Sequence, residues 1–244
     1  MSKQAVISDS LIGLKTGYRK KYGLKQYYDS LQPCYFIGMY RDIDFESYLN
    51  HKGKKYIVFT GSDALDLSKD WIKEIKKADR IIAQSDFVQN TLKKKRIKSE
   101  VIGLSATVAD QWHPCPNGDK LFWYYGLGAE DFYGLKIIKK IERKINIEIV
   151  KAHYKTFNRE QLHQAYSECF LNLRLTPHDG CPNTNLQMGL MGRKSIYNGS
   201  LPHSISWRNE KDIIESIQIE YENRLNDNSQ VSTDFYNFVK NNRI

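Results

Sequence analysis

Between Leu173 and Asn198 the chain reads LRLTPHDGCPNTNLQMGLMGRKSIYN, its densest set of residues able to handle a polar ligand. The apolar run ending at Thr176 reads as a strand, and the loop after it carries His178, Asp179, Gly180, Cys181 and Pro182. Asn183 and Thr184 then open a helix whose free amides their side chains can cap. Unpaired amides and the helix dipole make such a start a place for an anion above the strand. Gln187, eight residues after Asp179, is the next polar position pointing back the same way. Arg174 stands alone inside the strand, where a guanidinium is costly to bury unless paired. It meets either the negative charge of a ligand or a nearby carboxylate. A hydroxyl-rich, phosphorylated ligand suits this set.

Other positions carry weaker signals. Asp63 follows Gly61 and Ser62 at the end of a strand. A carboxylate there could act as a base or stabilise developing positive charge, or it could simply cap the next helix. Ser85 with Asp86 reads as a helix cap. The stretch Ile12-Gly13-Leu14-Lys15-Thr16-Gly17 follows the first strand as a glycine loop would, although two glycines four apart are a weak pattern. Of six histidines, His51, His113, His163 and His203 show no partner pattern, His153 ends a strand, and His178 lies inside the informative loop. His178, Asp179 and Cys181 are too close together to form the usual ligand set of a metal, and no metal site is expected. Trp123, Tyr124 and Tyr125 count first as core.

The elements that must position these residues alternate between short apolar runs and longer stretches of helical spacing, the pattern of an α/β protein. Strands are expected at residues 5–8, 34–40 and 56–61, at RIIAQS and at EVIGL, with helices over 18–28 and 45–49. A further helix is capped by Ser68, and another covers FVQNTLKKK. The stretch 109–120, with Pro114, Pro116 and Gly118, breaks the periodicity and sets a boundary between domains 1–110 and 111–244. Beyond it come strands at 121–126, 145–150 and 170–176 and at KSIYN, with helices at 135–144, 159–169 and 183–191. Another helix runs from near Asn209, and a last one holds Phe235, Tyr236 and Phe238 and is free to pack back on the first domain. Two Rossmann-like domains facing a cleft, the first of them reduced, is the expected architecture, with ligands outside the carboxyl ends of the strands.

With 244 residues, 41% hydrophobic and 27% charged, the chain is long enough for two small cores and too polar for a membrane protein. No stretch approaches the length of a membrane span or a signal peptide. The four cysteines form no CxxC pair, so a reducing cytoplasm is expected. The net charge of +9 favours polyanions or phosphorylated ligands. Its densest run, Lys93, Lys94, Lys95, Arg96 and Lys98, reads either as the solvated end of a helix or as a phosphate-contacting patch.

The stretch from 173 to 198 resembles the donor-binding motif of retaining GT-B glycosyltransferases of the family 4 type, in a subgroup whose loop reads His-Asp-Gly. The segments IVFTGSDALDL and ADRIIAQSDFVQNTL resemble the same family's first sheet. The resemblance implies a metal-independent enzyme without a cofactor that takes a sugar from a nucleotide diphosphate, UDP foremost. By position, Asp179 would contact the sugar and Gln187 the ribose, and both replace the family's usual glutamates. Arg174, His178, Gly180, Cys181, Pro182, Asn183 and Thr184 would line the donor. Tyr133-Gly134 stands where the family has Lys-Gly, so Arg174, with Lys136 and Lys155 behind it, is the substitute cation for the diphosphate. Asp63 would be catalytic on the acceptor side, and Ser62, Gly13, Lys15, Thr16 and Gly17 would serve the acceptor or the diphosphate. The acceptor is expected to be a polyanion, most concretely hydroxymethylated bases of bacteriophage DNA. A polysaccharide or lipid-linked glycan is the competing acceptor, and a non-catalytic nucleic-acid-binding protein the competing class.

Overall fold

The computed structural model describes residues 3–153 and 156–244, and the chain forms two compact units. One runs up to Val108 and takes in Asp179–Cys181 and Asn241–Ile244; the other comprises Ala109–His178 and Pro182–Lys240. The last helix, Ser229–Asn241, therefore belongs to the second unit up to Lys240, and the chain from Asn241 on belongs to the first.

The first unit is a parallel sheet of β1 (Gln4–Ile7), β2 (Lys25–Gln26), β3 (Cys34–Ile37), β4 (Lys55–Phe59), β5 (Arg80–Ala83) and β6 (Glu100–Val101), in the order β2-β1-β3-β4-β5-β6. Its central strands are nearly continuous apolar runs because both faces are covered. One core holds Phe36, Ile57, Phe59, Val88 and Leu92, and a second holds Ile7, Tyr18, Ile37, Val58 and Ile82. The helices are α1 (Lys15–Tyr22), α2 (Asp42–Asn50), α3 (Lys69–Ile75) and α4 (Asp86–Lys94). Ser68 and Ser85 cap the last two, accepting hydrogen bonds from the amides of Trp71 and Val88.

The helix expected at 18–28 instead starts at Lys15 and ends at Tyr22, because Gly23 takes a left-handed φ of 64° and the chain then extends into β2. The expected glycine loop at 12–17 is not a loop. Asp9–Leu14 is a 3₁₀ turn, and Lys15, Thr16 and Gly17 form the first turn of α1. A Cβ on Gly17 would stand 2.3 Å from the carbonyl oxygen of Ala106, so this glycine lets α1 approach the backbone closely.

The second unit is a parallel sheet of β7 (Lys120–Tyr124), β8 (Ile149–Ala152), β9 (Cys169–Leu173), β10 (Lys194–Ile196) and β11 (Ser204–Ile205), in the order β11-β10-β9-β7-β8. Around it lie α5 (Leu135–Lys144), α6 (Arg159–Ser167), α7 (Asn183–Leu190), α8 (Glu210–Glu222) and α9 (Ser229–Asn241). Its core includes Trp123, Ile138, Ile141, Leu171, Leu173 and Ile217. The strand expected at 145–150 begins only at Ile149, since Ile145 is the cap that ends α5. The helix expected to reach Cys169 stops at Ser167, because Cys169 opens β9. No helix among the described residues is long and apolar enough to cross a membrane.

Both sheets reverse their strand order once, between β1 and β3 in the first unit and between β7 and β9 in the second. At such a point the connections leave to opposite sides and open a crevice beyond the carboxyl ends of the strands.

Candidate functional site

In the second unit the crevice lies beyond Tyr124, the last residue of β7, and Leu173, the last of β9. Arg174 is the next residue along, its amide donating to the carbonyl of Ile196 (3.0 Å). Its guanidinium lies 4.8 Å from the ring centroid of Tyr133 and 5.7 Å from that of Tyr124, with 8% of the residue exposed. A guanidinium over aromatic faces has its plane held by them. Tyr133 is itself held, its carbonyl accepting from Trp123 Nε1 (2.9 Å). Gly134 has φ 85°, and a Cβ there would stand 2.8 Å from Leu175 Cβ, so Tyr133-Gly134 brings the start of α5 tight against the strand end. Lys136 is exposed on α5; Lys155 lies outside the described residues. His178 packs its ring against Phe132 (centroids 5.0 Å apart).

The start of α7 corrects the expected capping. The N-cap position belongs to Pro182, which has no side chain able to cap; Asn183 is the first helical residue and Thr184 the second. The helix is instead pinned by Asn185. Its Oδ1 accepts from Asn172 Nδ2 (2.8 Å), which also donates to Ser195 Oγ (3.0 Å), and all three residues are buried. Asn172 Oδ1, Asn185 Nδ2 and Thr176 Oγ1 are buried atoms without a hydrogen-bond partner, so polar capacity remains at this strand end and helix start. Gln187 accepts the phenolic proton of buried Tyr166 (2.9 Å) through Oε1, which fixes its amide.

The rest of the loop belongs to the first unit. The carbonyl of Asp179 accepts from Ser85 Oγ (3.3 Å), and its Oδ1 accepts from the amide of Gly180 (2.8 Å). A Cβ on Gly180 would stand 2.1 Å from the carbonyl oxygen of Thr60. Cys181 is buried, which pushes its thiol up to about 12 and leaves it unreactive.

Asp63 is buried beneath the ends of β3 and β4. Its carboxylate accepts from the amides of Met39 (3.1 Å), Thr60 (3.0 Å) and Gly61 (2.8 Å). Burial raises its pKa to about 6 against the pull of those amides. It does not cap α3, a role Ser68 fills. Ser62 beside it is exposed, as are Gly13 and Thr16. Lys15 pairs with Asp9, which also accepts from Arg41 Nη2 (2.8 Å), and these two cations hold the Asp9 pKa down at about 2.

Sequence reading missed Asp9, whose partners are six and 32 residues away, and it missed Arg193. The Arg193 side chain is fully buried and donates to the carbonyls of Cys169 (3.1 Å), Cys115 (3.0 Å), Pro116 (2.6 Å), Ser167 (3.2 Å) and Met191. Three histidines without a sequence pattern do have partners. His203 Nε2 lies 2.7 Å from Asp234 Oδ2, His51 Nδ1 lies 3.4 Å from Tyr27 Oη, and His163 stacks on Trp112. His153 packs its ring edge-on against Tyr125.

No family model matches the sequence, and no curated protein matches it. Among solved structures the chain is similar to sucrose-phosphate synthase from Thermosynechococcus elongatus, with a TM-score of 0.62 and 11% identity over 91% of this chain and 72% of that one. It is also similar to an S. aureus TarM mutant in complex with Fondaparinux, alpha-GlcNAc-glycerol and UDP (TM-score 0.58, 10% identity, 97% of this chain and 56% of that one). A third is the pneumococcal O-GlcNAc transferase GtfA in complex with UDP and GlcNAc (TM-score 0.52, 14% identity, 86% and 55%). The chain thus spans little more than half the length of the last two. At such identities the likeness establishes the fold, and that fold is the pair of Rossmann-like units of GT-B type.

Proposed function

We propose that this chain is a retaining, metal-independent glycosyltransferase that moves a sugar from a nucleotide diphosphate to an acceptor hydroxyl. The observation that carries the reading is Arg174, set on the rings of Tyr133 and Tyr124 where the strand order of the second sheet reverses. Negative charge grows on the diphosphate as the sugar departs, and a preorganised guanidinium favours that state over the ground state. The amides at the start of α7, beyond the same strand, supply a second positive pole. Gln187 would hold ribose hydroxyls, with His178, Gly180, Cys181, Pro182, Asn183 and Thr184 along the donor and Asp179 on the transferred sugar. Asp63, both oxygens on backbone amides, fits a positioning role for the loops after β3 and β4 better than proton transfer.

A UDP-linked donor is the first to test, since two of the similar structures hold UDP. The acceptor is a polyanion, with hydroxymethylated DNA ahead of a polysaccharide or lipid-linked glycan. The test is thermal stabilisation across a panel of nucleotide sugars and free nucleotide diphosphates, because a ligand bound only by the folded state raises the melting temperature. A shift with one donor, lost in Arg174→Met, is expected. NMR of the product would then show the donor's anomeric configuration retained. No shift with any donor, together with DNA binding, would replace this reading with a non-catalytic nucleic-acid-binding protein.

A further inference from the structure

The positive charge is distributed unevenly along the chain. Residues 1–108 hold 20 Lys and Arg against 12 Asp and Glu, a surplus of +8, whereas residues 109–244 hold 17 against 16. The first unit therefore carries nearly all of the excess, and five of its cations fall within six positions at the end of α4: Lys93, Lys94, Lys95, Arg96 and Lys98. Some other cations of this unit are matched, Arg80 with Glu100, Lys77 with Glu74, and Lys15 and Arg41 with Asp9. Among the described residues none of the five is matched, and four of them are exposed.

The backbone adds a second observation. α4 closes with the amide of Ile97 on the carbonyl of Leu92 (3.0 Å) and that of Arg96 on Lys93 (2.9 Å), a termination that puts Arg96 in the left-handed region at φ 58°. Glycine is the usual occupant of that position, since a Cβ there is strained. A charged side chain thus stands where the backbone favours none.

We propose that this end of α4 holds the phosphodiester backbone of a nucleic acid duplex, without reading its bases. The inference locates the polyanionic acceptor of the proposed reaction and rests on that part of the reading. The chemistry favours a phosphodiester polymer over a lipid surface. The apolar residues within and beside the cluster, Leu92 and Ile97, are buried, so the run itself offers charge and no apolar group to enter a bilayer. A row of cations instead matches a row of phosphates, each contact releasing a condensed counterion.

The experiment measures binding of a labelled DNA duplex by the full chain without donor, across a salt series. The wild type is expected to show a linear fall of log affinity with log salt. Arg96→Gly relieves the strained backbone, so its melting temperature is expected to hold or rise while the salt slope shrinks by about one unit. A triple variant, K94A/R96G/K98A, is expected to lose about three units of slope. If the lysines only guard the edge strand β6, the variants leave the slope unchanged, and that result overturns the proposal. Absence of duplex binding overturns it as well, as does salt-sensitive binding to phosphatidylserine vesicles alone. Donor-induced melting shifts in the same samples separate the two readings. A shift without DNA binding sinks this surface alone, and DNA binding without a shift sinks the sugar-transfer reading while the surface stands.

Discussion

Asp63 and Arg174 place opposite charges at the ends of parallel strands, and their surroundings set what each can do. Asp63 ties the turn after β3 to the turn after β4 through the amides of Met39, Thr60 and Gly61, and burial lifts its pKa from 3.8 to about 6. A raised acid holds its proton more tightly in the folded state than in the unfolded chain. Its contribution to stability is therefore greatest below pH 3.8, falls as pH rises from 3.8 to about 6, and is flat above. Urea titrations at a series of pH values are expected to show that fall, and Asp63→Asn is expected to remove it. The same variant, which turns an acceptor into a donor facing amides, is expected to cost about 1–3 kcal/mol near neutral pH. A slope that survives in Asp63→Asn would assign the titration to another group. Arg174 is expected to act through ligand affinity rather than stability, because Tyr133 and Tyr124 offer an apolar face that methionine can also cover. Arg174→Met should weaken diphosphate binding by about 1.5–3 kcal/mol, roughly tenfold to a hundredfold, with little change in melting temperature. Arg174→Lys should recover only part of the affinity, since an ammonium keeps the charge and loses the planar fork. Calorimetric titration of the three proteins with a nucleoside diphosphate decides between them.

At the scale of elements, the second unit depends on a few close approaches between segments far apart in sequence. Arg193 gathers the carbonyls of Cys115, Pro116, Ser167, Cys169 and Met191, so one side chain fixes the irregular 112–119 segment, the end of α6, the start of β9 and the end of α7. Arg193→Met is expected to lower stability by about 3 kcal/mol or more, because buried carbonyls lose their donors together; chemical denaturation measures it. At Gly189 in α7 a Cβ would stand 2.3 Å from a ring carbon of Phe235 in α9. Such features are invisible in a linear reading because the partner lies dozens of residues away. What was legible is what local chemistry determines. The amphipathic spacing of LKIIKKIERK gave α5 its bounds, Leu135–Lys144, and Ser68 and Ser85 announced the starts of α3 and α4. The loop after β9 was legible because a strand end, a proline and a helix start follow one another there. The two-residue strands β2 and β11 were not, since each exists only by pairing with a neighbour, β1 and β10 respectively. The capping at α7 misled for the same reason. Asn183 and Thr184 are good cap residues locally, but Asn172 in β9 pins the helix one position further on, at Asn185.

For the whole molecule, two sheets with the same single reversal of strand order carry very different charge. The sequence up to Val108 has a surplus of +8, whereas the remainder is close to neutral and places one deeply set cation, 8% exposed, at its reversal point. Salt should therefore separate the two ligands. Exposed lysines meeting phosphates release counterions, so duplex binding carried by four or five of them should fall steeply, by roughly two orders of magnitude between about 50 mM and about 200 mM salt. A guanidinium shielded by Tyr124 and Tyr133 is screened much less over that range. Donor affinity measured at the same two salt concentrations is expected to change by no more than about threefold. Equal salt dependence for both ligands would mean that the donor phosphates also meet exposed lysines, and Arg174 would lose its place as the diphosphate cation. A weak dependence for the duplex would mean that base or shape contacts hold it instead, and the end of α4 would no longer account for the +8 surplus of the first 108 residues.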